Sequence, residues 1–164
     1  MSLQPVHSPV SVTLPNTNSE YSRKEYWDDR YEEEDSYEWF MGYESFRHVV
    51  EKYVEKTDTV LMLGCGNSPL SADMYTDGYR HITNIDYSRT CIRKMAARHQ
   101  ANMPGMAWME IDVRKLNFAD GSFHIALEKG TLDALMVAEK SPWAVSDETR
   151  QCIDQVLTEV CLLK

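Results

Sequence analysis

The chain has 164 residues, of which 43% are hydrophobic and 26% charged, and this is the size and composition of one globular domain with a real core. No apolar stretch approaches the ~20 residues that a membrane-spanning helix needs, so we expect no membrane association. The formal net charge of −9 repels nucleic-acid phosphates and argues against a nucleic-acid partner.

The amino-terminal segment lacks the features of a targeting signal. Its first 18 residues contain three prolines, but neither a basic start nor the apolar core of a signal peptide. We interpret residues 1–20 as a flexible leader and expect residues 21–164 to form the folded domain, in the cytoplasm.

Cysteines and histidines show no metal-binding or disulfide pattern. The four cysteines include no C-x-x-C pair, and the five histidines lack ligand spacing and any H-E-x-x-H motif. We therefore predict reduced thiols and no metal-dependent hydrolase chemistry.

Aromatic and acidic residues are concentrated between Tyr21 and Phe40. Trp27 and Tyr31 are four residues apart, so on a helix they share a face and either pack on the domain or close over a flat ring. The acidic run from Glu32 to Asp35 has two interpretations, a solvated loop or an electrostatic attractant for a lysine-bearing substrate.

The central feature of the sequence is a strand followed by a glycine loop. After an amphipathic helix predicted over residues 45–55, Thr59–Leu63 is apolar and β-branched, as expected of a buried strand. Gly64 and Gly66 then permit a tight turn, and a helix is predicted from Pro69 to about residue 77. A strand, glycine loop and helix in this order are typical of nucleotide-binding sites.

A carboxylate follows at the spacing expected for ribose binding. The second predicted strand, residues 81–86, ends in Asp86, 22 residues after Gly64. At this position a carboxylate can accept hydrogen bonds from ribose hydroxyls. We therefore predict a cofactor site rather than a simple tight turn.

Strands and helices continue to alternate to the end of the sequence. We predict a helix capped by Ser88, strands over residues 106–112 and 123–130, and a final amphipathic helix over residues 147–164 capped by Ser146. This rhythm predicts an α/β fold, a Rossmann-like open and mostly parallel sheet with helices on both faces.

Candidate binding residues converge at one edge of this predicted sheet. Ligands of such sheets bind outside the carboxyl ends of the strands, where Asp86, Asp112 and Glu128-Lys129 all fall. A dinucleotide fingerprint expects a third glycine where Pro69 stands, whereas a site for S-adenosylmethionine uses a second acid after the third strand, the position of Asp112.

At this point the residues resemble the class I (seven-strand) S-adenosylmethionine-dependent methyltransferases. More narrowly, they are similar to the small lysine methyltransferases of translation elongation factor 1-alpha, and to the amino-terminal module of some forms of endothelin-converting enzyme. Four segments carry the resemblance: EYWDDRY (residues 25–31), LGCGNS (63–68), DVRKL (112–116) and LEKGTLDAL (127–135).

The resemblance implies S-adenosyl-L-methionine as the cofactor and protein-lysine N-methylation of elongation factor 1-alpha as the reaction. It implies a role for each of nine cofactor-binding residues: Gly64 at the methionine part, Asp86 at the ribose, Tyr87 beside the adenine, Asp112 and Val113 at the adenine edge, Lys129 near the methyl donor, and Trp27, Tyr31 and Trp39 as an amino-terminal lid. Glu128 is the one general base that we name, and the catalytic residue is otherwise open.

Three further expectations accompany this hypothesis. A complete domain of the class has three more strands, so we expect this domain to be incomplete after the fourth strand and the helix that follows it. The alternative functions are a non-catalytic module that binds S-adenosylmethionine and presents its acidic segment to a basic partner, or a nicotinamide-dependent oxidoreductase, which Pro69 disfavours. The modified lysine, the degree of methylation and the oligomeric state stay open.

Overall fold

The computed structural model describes residues 14–141 and 143–163. The predicted leader lies mostly outside these residues, although its last residues belong to a 3-10 helix, Asn18–Ser22. The helices are α1 Lys24–Glu33, α2 Tyr43–Tyr53, α3 Leu70–Thr76, α4 Arg89–His99, α5 Thr131–Leu135 and α6 Asp147–Leu162, and the strands are β1 Thr59–Leu63, β2 His81–Asp86, β3 Met106–Glu110 and β4 Ile125–Glu128.

The four strands of the described residues form one parallel sheet in the order β3-β2-β1-β4. In the centre, Leu61 of β1 is in register with Thr83 of β2 and Ala126 of β4. The α/β prediction is therefore confirmed, and all four strands end at the same edge of the sheet.

Alternation along β1 explains why helices cover both faces. Val60 and Met62 point to one face and pack with α2, α3 and α4, whereas Leu61 and Leu63 point to the other and pack with α5 and α6. All four side chains are at most 5% exposed. A strand buried on both sides is continuously apolar, which is why its position could be predicted from the sequence.

The helix caps follow the sequence closely. Ser88 accepts a hydrogen bond from the backbone N–H of Cys91, and Ser146 accepts one from that of Thr149, as predicted for both N-caps. In the described residues we find no helix that is both long and apolar enough to cross a membrane.

The third and fourth strands are shorter than predicted. β3 stops at Glu110 rather than residue 112, because the Asp112 carboxylate accepts the backbone N–H of Arg114 and turns the chain. β4 stops at Glu128 rather than residue 130, because Gly130 adopts a left-handed φ of 95° and begins α5. The five-residue helix α5 was not predicted, since it is too short for a periodic pattern.

Candidate functional site

A cavity lies where the carboxyl ends of the strands meet the amino-terminal segment. Residues that follow each of the four strands contribute to its wall, and helix α1 and the chain after it close its other side. All nine residues predicted to bind the cofactor line this cavity: Trp27, Tyr31, Trp39, Gly64, Asp86, Tyr87, Asp112, Val113 and Lys129. Their individual roles toward a cofactor stay predictions.

The glycine loop needs its glycines for conformation and for space. Gly64 and Gly66 have φ values of 56° and 53°, in the left-handed region that side chains disfavour. A Cβ on Gly64 would also overlap the side chain of Thr131, whose hydroxyl lies 3.2 Å from the carbonyl oxygen of Leu63 and donates to this turn. The loop therefore presents bare backbone to the cavity.

Asp86 is a fixed acceptor beneath that loop. It is 4% exposed, and its two oxygens accept the backbone N–H groups of Gly66 (3.0 Å) and Ser88 (2.9 Å). Burial raises the pKa of Asp86 to about 6, although the two backbone hydrogen bonds oppose the shift. Each oxygen keeps acceptor capacity for a further donor, which suits a ribose diol.

Asp112 is held in place by its neighbour. Its carboxylate accepts the backbone N–H of Arg114 at 2.9 Å and forms an ion pair with the guanidinium at 2.6 Å. The hydrogen bond to the Arg114 side chain lowers the pKa of Asp112, so the group is ionised at neutral pH. Arg114 also lines the cavity, and its participation was not predicted.

Aromatic rings make up much of the amino-terminal wall. Trp27 and Tyr31 stack with their centroids 5.7 Å apart, as their spacing on α1 predicted, and Trp39 packs edge-on against Trp27 at 6.0 Å. Trp27 is further fixed by a 2.7 Å hydrogen bond from its indole N–H to the carbonyl oxygen of Tyr21. Flat apolar walls of this kind suit a planar ring.

Residues 34–40, which we call the N-terminal strap, follow α1, and the last two of them, Trp39 and Phe40, line the cavity. At its start Glu34 forms a buried ion pair with Arg30 at 2.8 Å and accepts a hydrogen bond from the Asn67 amide at 2.9 Å. Ser36 donates to the backbone carbonyl of Asn67 at 3.1 Å. These contacts attach the strap directly to the glycine loop.

Lys129 attaches the other end of the strap. Its ammonium group pairs with the Glu38 carboxylate and donates to the carbonyl oxygen of Trp39 at 2.7 Å. The hydroxyl of Ser68 donates to the same carboxylate at 3.1 Å. The positive charge of Lys129 is thereby matched by Glu38, so this lysine holds the strap over the end of β4.

The carboxylate of Glu128, the residue named as a general base, is used elsewhere in the structure. Glu128 does not line the cavity, because its carboxylate accepts the backbone N–H groups of Thr131 (2.5 Å) and Leu132 (3.0 Å) at the start of α5. Because this carboxylate caps a helix outside the cavity, the geometry does not support a role for Glu128 as a general base.

The acidic run from Glu32 to Asp35 is exposed to solvent except at Glu34, and its first two residues belong to α1 rather than to a loop. Glu32 pairs with Arg93 at 3.3 Å and Asp35 with Lys94 at 3.4 Å, both on α4, while Glu34 is buried. Cations of the protein itself therefore compensate most of this charge.

Several site residues were missed by sequence reasoning. Glu38, Asn67 and Thr131 connect the strap, the glycine loop and α5, and the first of these carries no motif of its own. Thr131 and Asn67 do fall within two of the segments that carry the family resemblance, so a signal was present. Phe40, a cavity residue with a strained φ of 62°, has no signature in the sequence.

The donor set fits an adenosyl compound. A buried carboxylate beneath a glycine loop, a second carboxylate after β3 and a wall of aromatic rings provide partners for a ribose, an exocyclic amine and a planar base respectively.

Comparison with known proteins is consistent with this geometry. The family model described as "Methyltransferase domain" matches residues 60–154, more than half of the chain. EEF1A lysine methyltransferase 4 of Mus musculus is 44% identical over 160 residues, which are 95% of this chain and 62% of that protein. The eEF1A lysine and N-terminal methyltransferase homolog of Drosophila melanogaster is 38% identical over 149 residues, 90% of this chain and 21% of that protein.

The curated relatives are longer than this chain, which spans 62% of the mouse protein and 58% of its Bos taurus counterpart. Among solved structures, a Pyrococcus horikoshii protein aligns with a TM-score of 0.58 at 23% identity, over 74% of this chain and 50% of that one. The [4+2]-cyclase SpnF aligns with a TM-score of 0.57 at 19% identity, over 73% and 40%. These structures share the fold, and the cyclase illustrates that this fold alone does not define a reaction.

Proposed function

The chain belongs to the methyltransferase domain family, and from this premise we propose that it is an S-adenosylmethionine-dependent protein-lysine N-methyltransferase acting on translation elongation factor 1-alpha. One observation carries the proposal: the nine residues expected to bind the cofactor come from five separate parts of the chain and line one cavity. The names of the relatives at 44% and 38% identity support the lysine substrate. We further propose a cytoplasmic location and no nucleic-acid or membrane partner.

The residues of the site divide into three tasks. S-adenosylmethionine, when bound, supplies a methyl group that its positively charged sulfur has already activated. Asp86 would accept the ribose hydroxyls, while Asp112 and the backbone of Val113 would bind the adenine edge. Gly64 would allow close approach of the methionine part, because no side chain stands between the cofactor and the loop.

The remaining task is to hold a neutral lysine amine in line with the methyl group. Trp27, Trp39 and the N-terminal strap cover the cavity and would exclude water from it. A dry, apolar wall disfavours the ammonium form of an entering lysine, so desolvation helps it to lose its proton. Positioning and desolvation together are sufficient for this reaction type, and no general base is assigned.

Methyl transfer to purified elongation factor 1-alpha tests the proposal. The chain is incubated with the factor and S-adenosylmethionine, and mass spectrometry of proteolytic peptides locates the methyl groups that have been added. We expect modified lysine with the wild type and with Asp120→Asn, which alters an exposed turn, but not with Asp86→Asn. Calorimetric binding of S-adenosylhomocysteine without any transfer would instead favour the non-catalytic binding module.

A further inference from the structure

A cluster of metal-ligating side chains lies behind the glycine loop. The thiols of Cys65 and Cys91 and the carboxylate of Asp86 are all buried, and their ligand atoms lie within 4.8 Å of one another. The functional site uses only the carboxylate of this group, so the two thiols beside it need a separate explanation.

The spacing of the three atoms is close to that of a metal site. Around a tetrahedral Zn²⁺ with bonds of about 2.3 Å to sulfur, neighbouring ligand atoms are about 3.8 Å apart. The widest pair in the cluster would have to close by only about 1 Å. Two thiolates and one carboxylate form a donor set that suits thiophilic divalent cations rather than Mg²⁺ or Ca²⁺.

Backbone hydrogen bonds hold all three residues in this arrangement. The N–H of Cys65 donates to the carbonyl oxygen of Ile85 at 2.9 Å, and that of Cys91 donates to the Ser88 hydroxyl at 3.2 Å. Asp86 accepts the N–H groups of Gly66 and Ser88 as described above. The ligands therefore lie on parts of the fold that are fixed by hydrogen bonds, and metal-binding carboxylates usually accept such additional hydrogen bonds.

The cluster borders the cavity of the functional site. Cys65 and Asp86 both line the cavity, so a cation can enter there, and a water molecule in the cavity can complete a fourth coordination position. The same carboxylate is the proposed ribose acceptor. A bound cation and a bound nucleoside would therefore compete for Asp86.

We propose that Cys65, Asp86 and Cys91 form a binding site for one thiophilic divalent cation of the Zn²⁺ type, and that occupation of this site excludes the adenosyl ligand. The inference of a metal site depends only on the geometry of the cluster. The inference that the metal excludes the adenosyl ligand rests on the proposed function. The cation forms bonds to two sulfurs and one carboxylate oxygen, and the two thiol protons pass to the solvent.

Titration of the reduced protein with Cd²⁺ alone tests the metal site. We expect an ultraviolet thiolate-to-cadmium charge-transfer band that saturates at one equivalent. Cys65→Ser and Cys91→Ser should each weaken binding at least tenfold, and Cys161→Ser, which alters an exposed thiol, should leave it unchanged. Absence of the band, or a Cd²⁺ affinity that is unchanged in Cys65→Ser, would overturn the proposal.

A second measurement avoids variants that fail to fold. In the wild type, one equivalent of Cd²⁺ should slow alkylation of Cys65 and Cys91 but not of Cys161, as mass spectrometry of the labelled peptides would show. Equal rates with and without the metal contradict the site.

Competition is then tested with S-adenosylhomocysteine, which should displace the bound Cd²⁺ and abolish the charge-transfer band. If this nucleoside fails to bind the metal-free protein in calorimetry, the proposed function is wrong, and the Cd²⁺ titration still decides the metal site. If both bind together, the exclusion is wrong.

Discussion

Asp86 is the residue on which the candidate site most depends, and its burial has a cost. With a pKa of about 6 in the folded protein against 3.8 in a model compound, the folded state binds a proton more tightly than the unfolded chain does. Stability contributed by this proton is present below pH 4 and is lost as the pH rises through about 6. The shift corresponds to about 3 kcal/mol at most.

We expect Asp86→Asn to remove this pH dependence, because an amide does not titrate. Urea denaturation at pH 4 and pH 7 measures the free energy of unfolding of both proteins. From pH 4 to pH 7 this free energy should fall in the wild type by up to about 3 kcal/mol more than it does in Asp86→Asn. Asp120→Asn should behave like the wild type. Parallel pH profiles for the wild type and Asp86→Asn would show that the carboxyl group has an ordinary pKa.

Gly64 and Gly121 offer a matched test of the glycine loop. Both have left-handed φ values, 56° and 71°, but an added Cβ overlaps Thr131 at the first position and meets nothing within 4 Å at the second. We expect Gly121→Ala to cost about 1 kcal/mol of backbone strain and Gly64→Ala to cost at least about 2 kcal/mol more.

Denaturant unfolding measures both glycine variants, and adding Thr131→Ala should recover part of the stability of Gly64→Ala. Equal losses at the two glycines would mean that Thr131 does not crowd the loop.

At the scale of elements, the N-terminal strap differs from the sheet in how it is held. The sheet is joined by apolar packing on both faces, whereas the strap is attached to the glycine loop and to β4 largely by polar contacts of Glu34, Ser36 and Glu38. Contacts of this kind open at lower free energy than a packed core. The strap is therefore the element that we expect to move when a ligand enters.

Glu38→Gln tests this attachment, because it removes the charge that faces Lys129. The pair is partly buried, since the side chain of Glu38 is 21% exposed and that of Lys129 is 16% exposed. We therefore expect the attached position of the strap to lose about 1 kcal/mol of stability. Hydrogen exchange of the N-terminal strap, residues 34–40, should become severalfold faster, and the affinity for S-adenosylhomocysteine should fall about fivefold.

The control for this element is Glu44→Gln, since Glu44 is 82% exposed and forms only a long ion pair of 3.8 Å with Arg47. It should change neither exchange in the strap nor affinity. Unchanged exchange in Glu38→Gln would show that the strap is held by its aromatic contacts instead.

At the scale of the whole molecule, the cavity connects two halves of the fold. One wall belongs to the strand ends and the other to α1 and the strap, so a ligand that contacts both walls stabilises their association as well as the individual loops. Ligand binding to the folded state alone raises the free energy of unfolding by about 2.7 kcal/mol at a hundredfold excess over Kd.

We therefore expect S-adenosylhomocysteine at that excess to raise Tm by about 5–10 °C in differential scanning fluorimetry. NADH at the same concentration should have no effect, because the chain has Pro69 where a dinucleotide-binding fingerprint expects its third glycine. A shift with NADH and none with S-adenosylhomocysteine would revive the oxidoreductase hypothesis and contradict the methyltransferase proposal.

How much of the site could be predicted depends on sequence separation. Asp86, Gly64 and Asp112 could be identified because each follows a strand with a clear local pattern, and the ends of parallel strands must meet. The contacts of Lys129 with Glu38 and of Asn67 with Glu34 join residues 91 and 33 positions apart, and no local pattern encodes them. The capping contacts of Glu128 with Thr131 and Leu132 could not be predicted either, because α5 is too short to be recognised from the sequence.

The sequence by itself determined the order of strands and helices, the parallel sheet, and the set of residues at its carboxyl edge. Hydrophobic periodicity and turn chemistry act over a few residues, so they can be read directly from the chain. Only the tertiary structure decided how charge and space are used there: which acids are paired, that the strap is fastened by Lys129, and that Cys65 and Cys91 meet behind Asp86. Those outcomes depend on side chains brought together by folding, and on the burial that changes their chemistry.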